Sequence, residues 1–398
     1  MSRNNVLLLI ADDLGKQLGC YGCQYMKTPN IDKLAAEGIR FDKAFASKAS
    51  CSGSRSTIYT GLHTHENGQY GLNNGKHHFT TFDDVETGPS LLGKHGVRTG
   101  IIGKVHVGPD AVYPWESRAE KSEEDSRPFV LTVGYHDPHR DRTRGGFGND
   151  DPVDARIQRV TYRPEDMVIP EFLSDTVGSR QELASYAEAI SRLDQGIGMI
   201  LRELEHSGFV ENTLVIFMSD NSPPFVNSKT TLYDARVSLP LIIRHPGSVP
   251  AINPNLVSYV DILPTILDWV LGNTLGNPKQ QLSGQSFLHI LNEGQELSAW
   301  DHVFGSHTFH ESPNCWPTRY IRTRRYKYHR NIAWRLDFPF AADICGSLTW
   351  EDIRNAENSP KLIGKRLMKD YFFRPPEELY DLSKDRNEVM NIAENTEY

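Results

Sequence analysis

Three apolar runs of this chain end in polar residues, and this repeated pattern constrains the fold more than any other feature. The runs and their endings are Val6–Ala11 with Asp12-Asp13, Phe129–Tyr135 with His136-Asp137, and Thr213–Met218 with Ser219-Asp220-Asn221. Short continuous apolar runs are typical of strands buried in a parallel sheet. Ligands of such sheets bind at the carboxyl ends of the strands. The sequence therefore predicts an α/β fold with a polar site at one edge of its sheet.

The remaining patterns extend this sheet and cover it with helices. Further strands are predicted at Ile39–Ala46, Arg98–Gly103 and Leu239–Ile243, and helices at Thr28–Gly38 and about Ser179–His206. Strands that alternate with helices predict a large, mainly parallel sheet sandwiched by helices, which we assign to residues 1–293. Beyond Glu293 the chain is richer in aromatic and basic residues, and Arg322–Arg330 alternates like a strand. We expect a smaller, truncated C-terminal α+β domain with an antiparallel sheet at 294–398. The charged stretch Glu116–Arg127 is predicted to be a solvated connector.

Composition restricts the partners of the chain. Its 398 residues carry 43 basic and 51 acidic side chains, a formal charge of −8, so no global attraction to nucleic acid or anionic membranes is expected. An anionic substrate would need a local basic cluster. No run reaches the roughly 20 apolar residues of a membrane span. Five cysteines, no N-glycosylation acceptor and a short N-terminal apolar run predict a cytoplasmic protein, or a lysosomal or secreted one if the N-terminus is incomplete.

Two strand ends carry oxygen ligands. Asp12-Asp13 follows the first buried run and Asp220-Asn221 follows a later one. A single acidic pair is also common in a solvated turn or a helix cap. Two such pairs match the oxygen ligands that Ca²⁺ or Mg²⁺ prefers, whereas zinc would favour histidine or cysteine. The sequence predicts a divalent cation, Ca²⁺ with Mg²⁺ as the alternative, at these four residues.

The segment Cys51–Gly61 carries the most specific signal. A cysteine beside small residues is often only a small buried side chain. Here Arg55 follows four positions after Cys51, and Thr60-Gly61 closes a helix-like segment. This arrangement resembles the signature of the sulfatase family, Cys-x-Pro-x-Arg followed by an apolar pair and Thr-Gly. A helix N-terminus at Cys51 would offer free N–H groups to a sulfate.

The resemblance extends in family order over nearly the whole chain. Sulfatase-like motifs begin at Ala11, Thr28, Gly100, His136, Ser219, Asp261 and Glu378. The sulfamidase branch of the family is especially similar at Gly68–Leu72, His77–Phe79, Gly103–Asp110 and Tyr135–Arg140. The resemblance implies an alkaline-phosphatase-like fold and hydrolysis of sulfate esters or N-sulfates, on a sugar such as N-sulfoglucosamine.

Roles for single residues follow from the same resemblance. Cys51 would be oxidised to formylglycine, whose hydrate supplies the attacking oxygen, and Arg55 would hold that nucleophile. The other implied roles are sulfate binding by Lys104 and Lys229, proton removal by His106, leaving-group protonation by His139, and sugar binding by His310 and Glu311. The implied partners are a sulfated carbohydrate or small sulfate ester and a formylglycine-generating enzyme, with a homodimer left open.

Three positions depart from the family pattern. Gly53 stands in place of proline, Ser222 in place of glycine, and Lys229 where sulfamidases carry arginine. Because glycine lacks the fixed φ of proline, conversion of Cys51 is in question. An unmodified Cys51 would have its pKa lowered by Arg55 and the helix end. Two alternatives therefore stay open: a catalytically silent protein with a thiol at position 51, and a phosphodiesterase or phosphonate monoester hydrolase of the same superfamily.

Overall fold

The structure, a computed structural model, describes residues 4–116, 127–272, 279–357 and 359–397. The strands are β1 Asn5–Ala11, β2 Ile39–Phe45, β3 Arg98–Gly103, β4 Phe129–Gly134, β5 Thr213–Ser219, β6 Ser238–Arg244, β7 Ala251–Ser258, β8 His302–Phe309, β9 Cys315–Thr323, β10 Tyr326–Asn331, β11 Leu362–Ile363, β12 Arg366–Leu367 and β13 Glu377–Asp381. The α-helices are α1 Pro29–Glu37, α2 Cys51–Thr60, α3 Thr64–Asn67, α4 Gly88–Lys94, α5 Val177–His206, α6 Asp234–Val237, α7 Ile262–Leu271, α8 Ala342–Cys345, α9 Leu348–Asn355 and α10 Met368–Phe372.

The large sheet has seven strands in the order β3-β4-β1-β5-β6-β2-β7. Strands β3, β4, β1 and β5 run in parallel, while β6 is antiparallel to both of its neighbours. The predicted mainly parallel sheet is confirmed. The sequence analysis missed β7, in which Pro254 interrupts the strand pattern. As an edge strand, β7 tolerates a proline because one side needs no ladder hydrogen bond.

Both faces of the sheet are buried, which explains why its central strands are apolar throughout. Alternate residues of β1 enter different cores: Leu8 and Ile10 pack in one, and Leu7 and Leu9 in the other. Side chains of a strand point alternately to opposite faces, so a helix layer on each face buries every residue of β1. Helix α5 covers one face, and α2, α4 and α7 cover the other. No helix in the described ranges is both long and apolar enough to cross a membrane.

A second, antiparallel sheet follows, with the strand order β13-β10-β9-β8. The prediction of a single strand at Arg322–Arg330 was wrong, because this segment contains the turn of a hairpin between β9 and β10. Both arms alternate in burial, and no glycine, proline, asparagine or aspartate within the segment marks the turn. The domain boundary near residue 293 stays a prediction, and residues 117–126 of the predicted connector lie outside the described ranges.

The buried carboxylate of Glu378, in strand β13, allows a test of what stabilises the second sheet. The side chain is buried, and accepts hydrogen bonds from the Tyr233 hydroxyl at 2.8 Å and the Asn331 amide at 2.6 Å. Burial would raise its pKa, but His329 and Arg374 outweigh that effect and lower the pKa from 4.5 to about 2. The carboxylate therefore contributes stability that is complete above about pH 4.5 and is lost as the pH falls toward 2.

We expect Glu378→Gln to remove this acid-sensitive contribution, which is on the order of 3 kcal/mol. The free energy of unfolding, measured with urea at a series of pH values, should fall less steeply on acidification in the variant than in the wild type. Equal slopes in the two proteins would contradict this role of Glu378.

Candidate active site

The order of the strands brings three polar strand ends together. β1 lies between β4 and β5, and all three run in the same direction. Backbone hydrogen bonds continue past the strand ends, since the Asp220 N–H donates to the Ala11 carbonyl and the Asp12 N–H to the Asp137 carbonyl, both at 3.0 Å. The residues that follow these strands are thus fixed relative to one another by the sheet itself.

The backbone turns sharply at Asp13, which has a φ of +62°. Aspartate is one of the few non-glycine residues that adopt this left-handed conformation readily. Successive side chains of a straight strand would point to opposite faces. With the turn, oxygens of Asp12, Asp13 and Asp220 and the sulfur of Cys51 all lie within 4.8 Å of one another.

Cys51 is the first residue of α2, and every residue of that helix is buried. Its Sγ lies 4.0 Å from Asp13 Oδ1. Burial raises the pKa of the thiol well above its usual value, and the negative charges of Asp220 and Asp13 raise it further. The expectation that Arg55 and the helix end would lower this pKa was wrong, because three carboxylates from distant parts of the sequence lie close to the sulfur.

Four cationic side chains surround the three carboxylates. Arg55 Nε donates to Asp220 Oδ2 at 2.7 Å, and both side chains are fully buried. The other pairs are Lys104 with Asp12, Lys229 with Asp13 Oδ2 at 3.0 Å, and Arg236 with Asp13 Oδ1 at 2.8 Å. Lys229 also pairs with Asp343, so four cationic side chains face four carboxylates in all. These buried cations are the local basic groups that an anionic substrate of an acidic protein requires.

The residues present also fit a hard cation. Within the described part of the chain, Asp12 Oδ1 and Asn221 Oδ1 are buried and have no hydrogen-bond partner, which is costly for polar atoms inside a protein. Together with the carboxylates of Asp13 and Asp220 they form an oxygen-rich group of the kind that binds Ca²⁺ or Mg²⁺. Asp12, Asp13, Asp220 and Asn221 can therefore hold a divalent cation.

Two histidines face this group with defined protonation. Burial and the charge of Lys104 lower the pKa of His106 to about 2, so its ring is neutral. His139 Nδ1 lies 2.6 Å from the Arg140 carbonyl, which can only accept, so Nδ1 carries the proton. His139 Nε2 then keeps its lone pair in the neutral ring, at 3.6 Å from Asp13 Oδ2 and 3.5 Å from Lys229 Nζ.

A cavity of about 1040 Å³ opens above the charged cluster. Cys51, His139 and Lys229 line its floor, and the C-terminal part of the chain contributes His310 and Glu311 to its wall. The site residues at the cavity surface are Asp12, Cys51, Lys104, His106, His139, Lys229, His310 and Glu311. His310 Nδ1 lies 2.9 Å from the hydroxyl of Ser50, the residue that precedes α2. The side chains of Asp13, Arg55, Asp220 and Asn221 lie behind this surface.

The sequence analysis missed Arg236 and Asp343. Arg236 is fully buried in α6 and binds Asp13, and Asp343 lies in α8, where its carboxylate pairs with Lys229. Neither follows a predicted strand or stands in a recognised motif. The one sequence feature that could have indicated Arg236 is its position seven residues after Lys229, beyond the end of a strand. This spacing is a weak indication without knowledge of the fold.

Gly53 lies directly against Lys48. A Cβ at position 53 would lie 2.6 Å from Lys48 Cγ and 3.1 Å from Lys48 Cε. Lys48 is fully buried, and its Nζ has no hydrogen-bond partner among the described residues. A Cβ at position 53 can therefore be accommodated only if the buried Lys48 side chain shifts. The glycine that replaces the proline of the family signature thus lies in close contact with Lys48.

Comparison with known proteins agrees with this geometry. A family model described as Sulfatase matches residues 4–119 and 113–272. Human N-sulphoglucosamine sulphohydrolase is 37% identical over 98% of this chain and 86% of its own length. The chain belongs to the sulfatase family.

Solved structures confirm the fold of this sulfatase-family chain. A structure described as a complex with its substrate D-glucosamine-2-N,6-O-disulfate has a TM-score of 0.68 at 20% identity, covering 100% of this chain and 94% of the other. A phosphonate monoester hydrolase of Agrobacterium radiobacter has a TM-score of 0.66 at 20% identity, covering 100% and 92%. The shared scaffold does not separate sulfate from phosphonate chemistry, so that choice depends on the site.

We expect Gly53→Ala to destabilise the protein by about 1–3 kcal/mol through overpacking, although alanine usually favours a helix by about 1 kcal/mol over glycine. In a Lys48→Ala background only the 3.2 Å contact with the Gln69 carbonyl remains, so the same change should cost much less. Thermal and urea unfolding of the four proteins in this double-mutant cycle measure the coupling. An identical effect of Gly53→Ala in both backgrounds would rule out the contact with Lys48 as its cause.

Proposed function

We propose that this protein is a sulfohydrolase that removes sulfate from an amino sugar, with an N-sulfated glucosamine unit as its preferred substrate. The proposal is supported by the 37% identity to human N-sulphoglucosamine sulphohydrolase over 98% of the chain. The observation that carries it is the cluster of buried cationic side chains around Cys51 at the floor of a large cavity. A negatively charged sulfate would be attracted to these cationic side chains, and the cavity is large enough for the attached sugar.

The family uses a metal ion and a formylglycine. We propose Ca²⁺ at Asp12, Asp13, Asp220 and Asn221, and a formylglycine-generating enzyme as the partner that converts Cys51. A bound cation would polarise the S–O bonds of a sulfate, and the aldehyde hydrate would supply an oxygen nucleophile.

The side chains around these groups have separate tasks. Lys104 and Lys229 line the cavity and would bind the sulfate oxygens, while Arg55 and Arg236 hold Asp220 and Asp13 in place. His106 lines the cavity, and its neutral ring has a nitrogen lone pair that can accept a hydrogen bond. His139 can donate one from Nε2 only when its ring carries two protons, because Nδ1 already donates to a carbonyl.

A catalytically silent form is the second candidate, and Gly53 favours it. The family signature has proline at this position, and the Cβ of a proline there would lie 2.6 Å from Lys48 Cγ. If the modifying enzyme does not accept the Gly53 sequence, position 51 remains a thiol. A thiol lacks the second hydroxyl of the aldehyde hydrate, so sulfate could not be released by collapse of the hydrate.

Activity should depend on the chemical form of position 51. The protein is produced with and without a formylglycine-generating enzyme, and mass spectrometry of the peptide that contains residue 51 gives the extent of conversion. Initial rates are then measured on N-sulfoglucosamine, glucosamine 6-O-sulfate and a phosphate monoester of the same sugar, with Cys51→Ala as the control. We expect kcat/KM on the N-sulfate to exceed that on the phosphate ester by more than about tenfold, a difference of about 1.4 kcal/mol in the barrier.

Two results would contradict the proposal. Faster turnover of the phosphate ester would favour the phosphodiesterase or phosphonate hydrolase alternative. A fully converted protein that releases sulfate no faster than Cys51→Ala would favour the silent form.

Asn221→Ala should separate metal binding from folding. The side-chain amide of Asn221 is buried and has no partner in the described ranges, so its removal breaks no hydrogen bond seen in the structure. In chelator the melting temperature of the variant should stay close to that of the wild type, whereas the increase caused by Ca²⁺ should shrink markedly. Asp220→Ala is a poorer choice, because it leaves the buried Arg55 without its 2.7 Å partner and destabilises the protein with or without metal. An equal Ca²⁺-dependent increase in wild type and Asn221→Ala would exclude Asn221 as a ligand.

A further inference from the structure

A second group of metal-binding atoms overlaps the oxygen-rich one. Cys51 Sγ, His139 Nε2 and a carboxylate oxygen of Asp13 all lie within 4.8 Å of one another. His139 Nε2 is 3.6 Å from Asp13 Oδ2, and Cys51 Sγ is 4.0 Å from Asp13 Oδ1. In a tetrahedral zinc site, bonds of about 2.3 Å to sulfur and 2.0–2.1 Å to nitrogen place ligand atoms roughly 3.5 Å apart. Small side-chain movements would bring the three atoms to this spacing.

The hydrogen bond of His139 prepares it as a ligand. Nδ1 donates to the Arg140 carbonyl at 2.6 Å, so the neutral ring presents the lone pair of Nε2 to the cluster. A histidine that binds a metal almost always donates its other N–H to a carbonyl or carboxylate in this way. The side chain also keeps 32% of its surface exposed, which leaves it room to adjust.

The donor atoms select the metal. Sulfur, imidazole nitrogen and one carboxylate are the ligands that Zn²⁺ prefers, whereas Ca²⁺ takes six to eight oxygens. Asp13 can still act as a ligand while Arg236 and Lys229 bind it, because each carboxylate oxygen has two lone pairs. Asp12 Oδ1 lies in the same buried cluster and accepts no hydrogen bond from the described residues, so a nearby cation would stabilise it.

We propose that the unmodified protein, with Cys51 as a thiol, binds one Zn²⁺ through Cys51 Sγ, His139 Nε2 and Asp13, with the remaining coordination position open to the cavity. The thiol proton is released to solvent as the sulfur–zinc bond forms. The charge of the metal offsets the burial and the neighbouring carboxylates that otherwise keep the sulfur protonated. Conversion of Cys51 to formylglycine removes the sulfur, so the chemical form of position 51 decides which metal the site prefers.

The experiment uses full-length protein produced without a formylglycine-generating enzyme, with an intact thiol verified by mass spectrometry and with metals removed by a chelator. Co²⁺ serves as the spectroscopic probe, because a cobalt–thiolate bond absorbs in the near ultraviolet. Zn²⁺ affinity is measured by competition with a chromophoric chelator in the presence of excess Ca²⁺. The variants are Cys51→Ser, Cys51→Ala and His139→Gln, and Cys345→Ser is the matched control because Cys345 is an exposed thiol outside the cluster.

We expect one Zn²⁺ per chain, a cobalt–thiolate band, and no displacement by Ca²⁺. The band should disappear in both Cys51 variants, and Zn²⁺ affinity should fall by more than about tenfold in all three cluster variants, with no change in Cys345→Ser. Zinc affinity that survives loss of the Cys51 sulfur, or that falls equally in Cys345→Ser, would overturn the proposal. Sulfate release by the formylglycine form is measured separately, so an inactive sulfohydrolase and a missing zinc site give different results.

Discussion

The carboxylate of Asp13 is the group on which the rest of the site depends. It lies at a left-handed turn after the central strand, and its two oxygens bind Arg236 at 2.8 Å and Lys229 at 3.0 Å. All three side chains are almost fully buried, where an unpaired charge would cost several kcal/mol. Each partner therefore requires the others. The same carboxylate faces Cys51 and His139, so the surroundings of Cys51 depend on this network.

The C-terminal part of the chain keeps this network in place. Asp234, at the start of α6, binds Lys327 at 2.7 Å and Arg322 at 3.2 Å, both from the second sheet. Arg236 lies two residues further along the same short helix. Because α6 is only one turn long, it has little intrinsic stability and depends on these contacts. The second sheet thus acts on Asp13 through α6, besides supplying cavity residues.

The chemical form of position 51, a thiol or an aldehyde, bears on both the proposed hydrolase activity and the proposed zinc site. A thiol, buried among carboxylates with a histidine nearby, makes a different ligand set from an aldehyde hydrate at the same place. The contact between Gly53 and Lys48 bears on the same question, because a larger residue at position 53 would meet Lys48.

The sequence alone determined the strands that reach the site, since apolar runs such as Val6–Ala11 and Thr213–Met218 are local patterns that require burial on both faces of a sheet. It also indicated the oxygens that could hold a cation, because strand ends of a parallel sheet share one edge. The turn between β9 and β10, the ion pair of Arg236 with Asp13, and the place of Asp343 were decided only by the tertiary structure. The raised pKa of Cys51 was also beyond the sequence, because Asp13 and Asp220 approach it through space and not along the chain. Electrostatic and steric effects depend on such distances, and distances between residues far apart in sequence exist only once the chain is folded.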